Sequence, residues 1–174
     1  MPLTFTDQRV TEWSVRRIAV VGPGIVGMPM AAMLAHARIR EGSDQPATVT
    51  VIQRNSPTSG WKVGAINAGR SPIGGIEPDL DRIVAETVEA GLLSASHEYA
   101  AAAHADVILV CTQTDKRGMA PDYGPLFEAL EGIAGALRDR PAGNVPVIIF
   151  ESTLAPSTMT TLIRELFRTH GLVE

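Results

Sequence analysis

Only one cysteine, Cys111, occurs in the sequence, so no internal disulfide can form and a disulfide-stapled fold is excluded. The four histidines (His36, His97, His104 and His170) show no close metal-ligand spacing with it, and no structural metal is expected. Long apolar runs are missing as well: nothing approaches the length needed to span a bilayer. The opening stretch MPLTFTDQRVTEWSVRR mixes both charge signs and lacks the apolar segment of a secretory signal, so the cytoplasm is the expected location. Basic charge is scarce. Fifteen Lys and Arg stand against 19 Asp and Glu, for a net charge of -4, and they are scattered rather than striped, which argues against nucleic acid as a partner. There is no internal repeat and no low-complexity tract.

What is present is the composition of a soluble globular protein, 45% hydrophobic and 20% charged, at a length that fits one domain. Residues 1–16 lack periodicity and read as a loose N-terminal arm with room for one short strand; the domain is expected over 17–174. From Ile18 onward, short β-rich apolar runs alternate with helical patterns. The runs are Ile18 to Val21, Thr48 to Ile52, Asp106 to Cys111 and Val145 to Phe150. Helical spacing marks Ile25 to Ala37, Pro78 to Ala90, Tyr123 to Leu137 and Ser157 to Thr169, with shorter pieces at Trp61 to Asn67 and Tyr99 to Ala103. Continuous apolar strands such as VILVC and VPVIIF predict burial on both faces. The expected fold is α/β: a Rossmann-like, doubly wound, mainly parallel sheet with helices on both faces. The Gly/Pro-rich stretch AGRSPIGGIEP, residues 68–78, is expected to be a loop that interrupts the sheet.

The first strand runs into VVGPGIVGMP, with glycines at 22, 24 and 27. In a strand-to-helix turn of this spacing the first glycine permits the turn, the second lets backbone approach a pyrophosphate, and the third lets helix and strand pack closely. The helix that follows offers unpaired N–H groups to a diphosphate, and Pro29 is tolerated in its first turn. A tight turn without ligand is the alternative. The second strand, VTVIQRNS, would end in an acid if it served an NAD ribose; it ends in Gln53 and Arg54. Glutamine can bond a ribose hydroxyl without repelling a 2′-phosphate, and Arg54 could pair with that phosphate or stack on adenine. Both NADP and NAD therefore stay open, with Arg54 a solvated loop residue in the second case.

Over about Ile18 to Gly171 the sequence resembles the N-terminal cofactor-binding domain of the UDP-glucose/GDP-mannose dehydrogenase family. The segments that carry the resemblance stand in family order: the glycine loop with Met28-Pro29-Met30-Ala31, then Ile66-Asn67-Ala68-Gly69-Arg70-Ser71-Pro72-Ile73, then Glu77-Pro78-Asp79-Leu80. Ala105-Asp106-Val107-Ile108, a strand end with Thr112 and Thr114, residues Gly118 to Asp122, and Glu151-Ser152-Thr153 followed by Pro156 complete the set. The resemblance implies oxidation of the C6 hydroxymethyl of a nucleotide sugar to a carboxylate, with two hydrides passed to NAD. It also implies cofactor contacts at Gly22, Gly24, Ile25, Val26, Gly27, Gln53, Val110, Cys111, Thr112, Thr114, Ser152 and Thr153; Arg54 joins them by its charge beside Gln53. Thr153 matches a threonine used near the catalytic water, although a threonine at a strand end is also a common helix cap.

Three positions depart from the family pattern. Gln53 replaces the usual acid, Gln113 stands where proline is usual between the threonines, and Gly74-Gly75 lengthens a loop. Glu151 reads equally as a buried carboxylate with a shifted pKa and as a solvated strand-end acid. The family's nucleophilic cysteine, with its supporting lysine and asparagine, is expected beyond Glu174. Cys111 is expected to be a small apolar strand residue rather than a substitute for it. The chain is thus expected to be a cofactor module, binding NAD or NADP without turning over sugar on its own. A non-catalytic nucleotide-binding module, or another NADP-dependent dehydrogenase domain, is the alternative. A further parallel strand is implied beside Val147 to Phe150; without it that edge invites homodimerisation or aggregation unless the N-terminal arm covers it.

Overall fold

The computed structural model describes residues 14–74, 78–118, 120–138, 140 and 145–172. Most of the expected arm, together with Glu77 and Gly75, lies outside the described residues. Strand β1 (Arg17–Val21) runs into helix α1 (Gly27–His36), followed by β2 (Thr48–Ile52), α2 (Trp61–Asn67), α3 (Leu80–Glu89) and β3 (Leu93–Ser96). A 3-10 turn (Tyr99–His104) leads to β4 (Val107–Val110), a small antiparallel hairpin of β5 (Asp115–Arg117) and β6 (Ala120–Asp122), α4 (Gly124–Arg138) and β7 (Val147–Phe150). The last helix, α5, opens with a π turn (Met159–Ile163) and continues as an α-helix (Arg164–Thr169).

Five strands form one parallel sheet in the order β3-β2-β1-β4-β7. Side chains alternate across it, as strand geometry requires. Ile18, Val20, Val49, Val51 and Leu109 face the layer of α1 and α3, where Met28, Ala31, Ala35 and Val84 are fully buried. Ala19, Val21, Ile108 and Val110 face the opposite layer, made by the 3-10 turn, α4 and α5 through Ala102, Leu126, Leu130, Ile133 and Ile163. Three buried alanines on α1 (Ala31, Ala32 and Ala35) leave room for the helix to lie close on the strands. The doubly wound α/β arrangement is thus the one the alternating runs predict. Among the described residues no helix is long and apolar enough to cross a membrane.

Besides the short β5/β6 hairpin, two features depart from the sequence reading. Strand β3 was not expected, because Leu-Ser-Ala-Ser offers only Leu93 and Ala95 to the core. It is held in part by Asn67, whose side chain donates to Ala95 O at 2.9 Å and accepts from Ala95 N at 2.7 Å, on an edge that pairs with no further strand among the described residues. Strand β7 is not buried on both faces. Ile148 and Phe150 pack against the α4/α5 layer, while Val147 and Ile149 remain 46% and 39% exposed on the other face. An apolar run therefore marked the strand correctly but not its burial, because no described helix crosses over the β7 end of the α1/α3 layer. Beside it, β4 fulfils the expectation, with Ile108, Leu109 and Val110 all buried.

Candidate functional site

The carboxyl ends of β1 and β4 are neighbours in the sheet but lead to helices on opposite faces, so the chain opens a crevice there, as open parallel sheets do at a switch in strand order. The cleft has a volume of about 540 Å³. Its floor and one wall come from the loop after β1. Gly22 has a φ of 95°, and a Cβ on it would meet Cys111 O at 2.8 Å. Gly27 starts α1 pressed against that turn: a Cβ there would lie 2.1 Å from Gly22 O and 2.9 Å from Cys111 Cβ. Gly24 is different, since a Cβ on it would meet nothing within 4 Å. The three glycines thus divide into one turn, one open face and one close contact.

Around that open face the N–H groups of Ile25, Val26 and Gly27 make no backbone hydrogen bond among the described residues, and the helix continues from Met28 N to Gly24 O at 3.0 Å. Free donors at the start of a ten-residue helix, next to a position with no side chain, suit a diphosphate. Ile25 and Val26 are 71% and 49% exposed and form an apolar lip of the cleft. Lys62, on α2, donates to Pro23 O at 3.1 Å, which sets an ammonium beside the loop.

The end of β2 supplies Gln53 and Arg54 to the same cleft. The Gln53 amide donates to Ser59 Oγ at 3.0 Å, and Ser59 Oγ lies 2.7 Å from Ser56 Oγ. Arg54 pairs with Glu128 of α4, and the two close over one side of the cleft. Tyr99 lies beside this pair, its ring flat on α4 where Gly132 has no side chain; a Cβ at Gly132 would stand 2.6 Å from the ring. Burial, and after it the nearby Glu128 carboxylate, push the Tyr99 hydroxyl above its ordinary pKa, with Arg54 opposing.

The far end of the cleft is made where β4 and β7 stop. Ser152 Oγ donates to Thr112 O at 2.7 Å and lies 3.3 Å from Thr112 Oγ1, while Thr114 Oγ1 donates to Thr153 O at 3.1 Å. These bonds tie the two strand ends into one platform. The Thr153 hydroxyl has no hydrogen-bond partner among the described residues, and the cap position of α5 belongs to Thr158, so Thr153 does not cap that helix. Cys111 is half-buried at this platform, and burial, followed by the neighbouring Glu151 carboxylate, raises its thiol to about 11. It stays protonated at neutral pH. Among the described residues no group of three His, Cys, Asp or Glu side chains is placed to hold a metal.

Of the residues named from sequence, all but two line this cleft. Gly27 sits beneath Gly22, and the Val110 side chain points into the core, fully buried. Sequence reasoning missed Ser59, Lys62, Tyr99 and Glu128. The Ser/Thr-rich stretch Ser56 to Ser59 after β2 was a usable signal; Glu128, on a helix 74 residues from Arg54, gave none.

Residues 16–172 match the model of the UDP-glucose/GDP-mannose dehydrogenase family, NAD binding domain. The chain belongs to this family. It is 32% identical over 158 residues to the UDP-N-acetyl-D-mannosamine dehydrogenase of Pyrococcus horikoshii, covering 91% of this chain and 33% of that protein. The crystal structure of the NDP-N-acetyl-D-galactosaminuronic acid dehydrogenase from Methanosarcina mazei Go1 superposes with a TM-score of 0.78 at 26% identity, covering 92% of this chain and 32% of that one. GDP-mannose dehydrogenase from Pseudomonas aeruginosa gives 0.75 at 25%, covering 88% and 32%. The chain spans about a third of the length of the relatives it matches. Its cofactor is accordingly a nicotinamide dinucleotide. In family terms the segments divide by role: the glycine loop and the Thr and Ser-Thr strand ends line the cleft, while Asn67 to Ile73 lies away from it. There Asn67 holds β3, and Ser71 N donates to Asp81 Oδ1 at 2.8 Å, fastening the loop to α3.

Proposed function

We propose that residues 17–174 form the dinucleotide-binding unit of a nucleotide-sugar 6-dehydrogenase that oxidises the C6 hydroxyl of a UDP- or GDP-linked sugar to a carboxylate. The observation that carries this reading is the division of labour among Gly22, Gly24 and Gly27, because of the three only Gly24 leaves its space open, while the helix donors beside it lack backbone partners among the described residues. A bound nicotinamide supplies the hydride acceptor. Ile25, Val26 and Gly27 hold the pyrophosphate by their N–H groups, Gln53 meets the ribose, and the Thr112–Ser152 platform seats the nicotinamide end. Thr153, with an unengaged hydroxyl, orients a water at that end. Cys111 remains a thiol and takes no covalent part, so the nucleophile comes from elsewhere in the enzyme. A cytoplasmic setting fits a dinucleotide-dependent domain of this kind. Titration of the 174-residue chain with NADH and NADPH, followed by nucleotide fluorescence, tests the proposal: saturable binding with no turnover of UDP-sugars is expected, and absence of any dinucleotide binding would sink it.

A further inference from the structure

Resting on that reading of the cleft, we infer that its ribose end is built for a 2′-phosphorylated dinucleotide, NADP(H), rather than for NAD(H). A site for an unmodified ribose places a carboxylate at the end of the second strand, where it accepts from the ribose hydroxyls and repels a phosphate. Here that position is Gln53, and its amide is already turned to Ser59 Oγ, 3.0 Å away. The repulsive element is therefore absent. A cation, Arg54, follows directly, and a second, Lys62, lines the same cleft from α2, donating to Pro23 O of the glycine loop at 3.1 Å. The half-buried hydroxyls of Ser56 and Ser59, 2.7 Å apart, lie between them in sequence and can donate to phosphate oxygens.

One acid opposes this arrangement, and its geometry shows how. Glu128 pairs with Arg54, but both side chains are about half exposed, 51% and 48%, so the pair is weakly held in water. A phosphate dianion offers the guanidinium a fork of oxygens and more charge than one carboxylate does. Arg54 would then exchange Glu128 for the 2′-phosphate. Glu128 acts as a resting counter-ion for Arg54 and weakens phosphate binding by its own charge.

The 174-residue chain is titrated with NADPH and NADH by fluorescence, and with adenosine 2′,5′-bisphosphate against adenosine 5′-monophosphate by calorimetry. NADPH is expected to bind at least tenfold tighter than NADH at low salt, with the bisphosphate tighter than the monophosphate, and the margin is expected to shrink as salt is raised. Arg54→Ala should weaken NADPH by at least tenfold and NADH by less, so that the margin is lost, and Glu128→Gln should tighten NADPH more than NADH. Gln53→Asp should reverse the preference. Equal or tighter binding of NADH by the unmodified chain overturns the inference and leaves dinucleotide binding intact. An Arg54→Ala variant that keeps the full NADPH margin, with its circular dichroism melt unchanged, also overturns it. If neither dinucleotide binds, the reading of the cleft falls and this inference with it.

Discussion

At its pyrophosphate end the cleft is made of backbone: Gly22 turning at positive φ, Gly24 bare, Gly27 tight against the turn, and helix donors behind them. At its ribose end it is made of side chains, with Arg54 held by Glu128 across 74 residues of sequence, Gln53 tied to Ser59, and Tyr99 lying on a helical glycine. The first end tolerates almost no change in its residues, since a missing Cβ is the device itself. The second can be re-aimed by exchanging one partner. A scaffold that fixes the diphosphate rigidly and the ribose by exchangeable pairs can keep its fold while its choice of dinucleotide moves.

The largest break in that comparison is expected at Gly27. A methyl group 2.1 Å from Gly22 O meets backbone that cannot swing aside, so Gly27→Ala should force β1 and α1 apart at a cost of about 3 kcal/mol or more. Thermal melts and dinucleotide titration should both report the damage. Gly24→Ala, three residues earlier, should separate the two readouts. Its Cβ meets no protein atom, and the loss of unfolded-chain freedom should hold or slightly raise the melting temperature. Dinucleotide affinity should nevertheless fall by about tenfold, about 1.4 kcal/mol, because the methyl occupies the approach of the pyrophosphate. A variant that bound as well as the original would mean the ligand does not cross Gly24.

At the side-chain end the matching test is Gly132→Ala. The new Cβ, 2.6 Å from the Tyr99 ring, must push that ring off α4 and toward the cleft. Stability should drop by about 1–2 kcal/mol, as for a modest overpacking, and affinity for the adenosine half alone should fall more than affinity for a pyrophosphate fragment. Equal losses for both fragments would show that the disturbance spreads through the sheet rather than staying at one end.

The same contrast explains what could be read from the sequence. The four apolar runs from Ile18 to Phe150 and the glycine spacing report local constraints, a period and a turn, and these placed β1, β2, β4, β7 and the helices between them within a few residues. Strand β3 escaped notice because its edge is completed by the Asn67 side chain rather than by an apolar pattern. The hairpin of β5 and β6 has only three residues a side, too few for a period to show. The uncovered face of Val147 and Ile149 could not be read at all, since VIIF looks alike whether one helix layer covers it or two. At the cleft, residues whose role is a backbone shape were legible, as were those at strand ends. Glu128 and Tyr99 were not, because their part in the site comes only from being folded opposite Arg54.

The uncovered face of β7 gives a smaller test. Its far edge pairs with no strand among the described residues, so the isolated chain is expected to self-associate through it, and Ile149→Lys should shift sedimentation toward monomer. The expected change in the melt is slight, because Ile149 is already 39% exposed. A chain that sediments as a monomer at all concentrations, before any substitution, would show that this edge is covered.

The smallest effect is expected from Cys111, where the two ends of the cleft share a neighbour. Its Cβ lies against Gly27, and burial, followed by the neighbouring Glu151 carboxylate, lifts the thiol from 9.0 to about 11. The folded state thus favours the protonated thiol, and the unfolded chain ionises first as pH rises. Stability from this group is complete below about pH 9 and is lost between there and about pH 11. Iodoacetamide labelling of the folded chain at pH 8 should accordingly be slow, with roughly one thiol in a thousand ionised, and should climb steadily up to about pH 11. The urea-unfolded chain should reach its plateau about two pH units earlier. Saturating dinucleotide should slow the folded reaction further by covering the platform, and rapid labelling at pH 7 would mean a reactive thiolate, reopening Cys111 as a nucleophile.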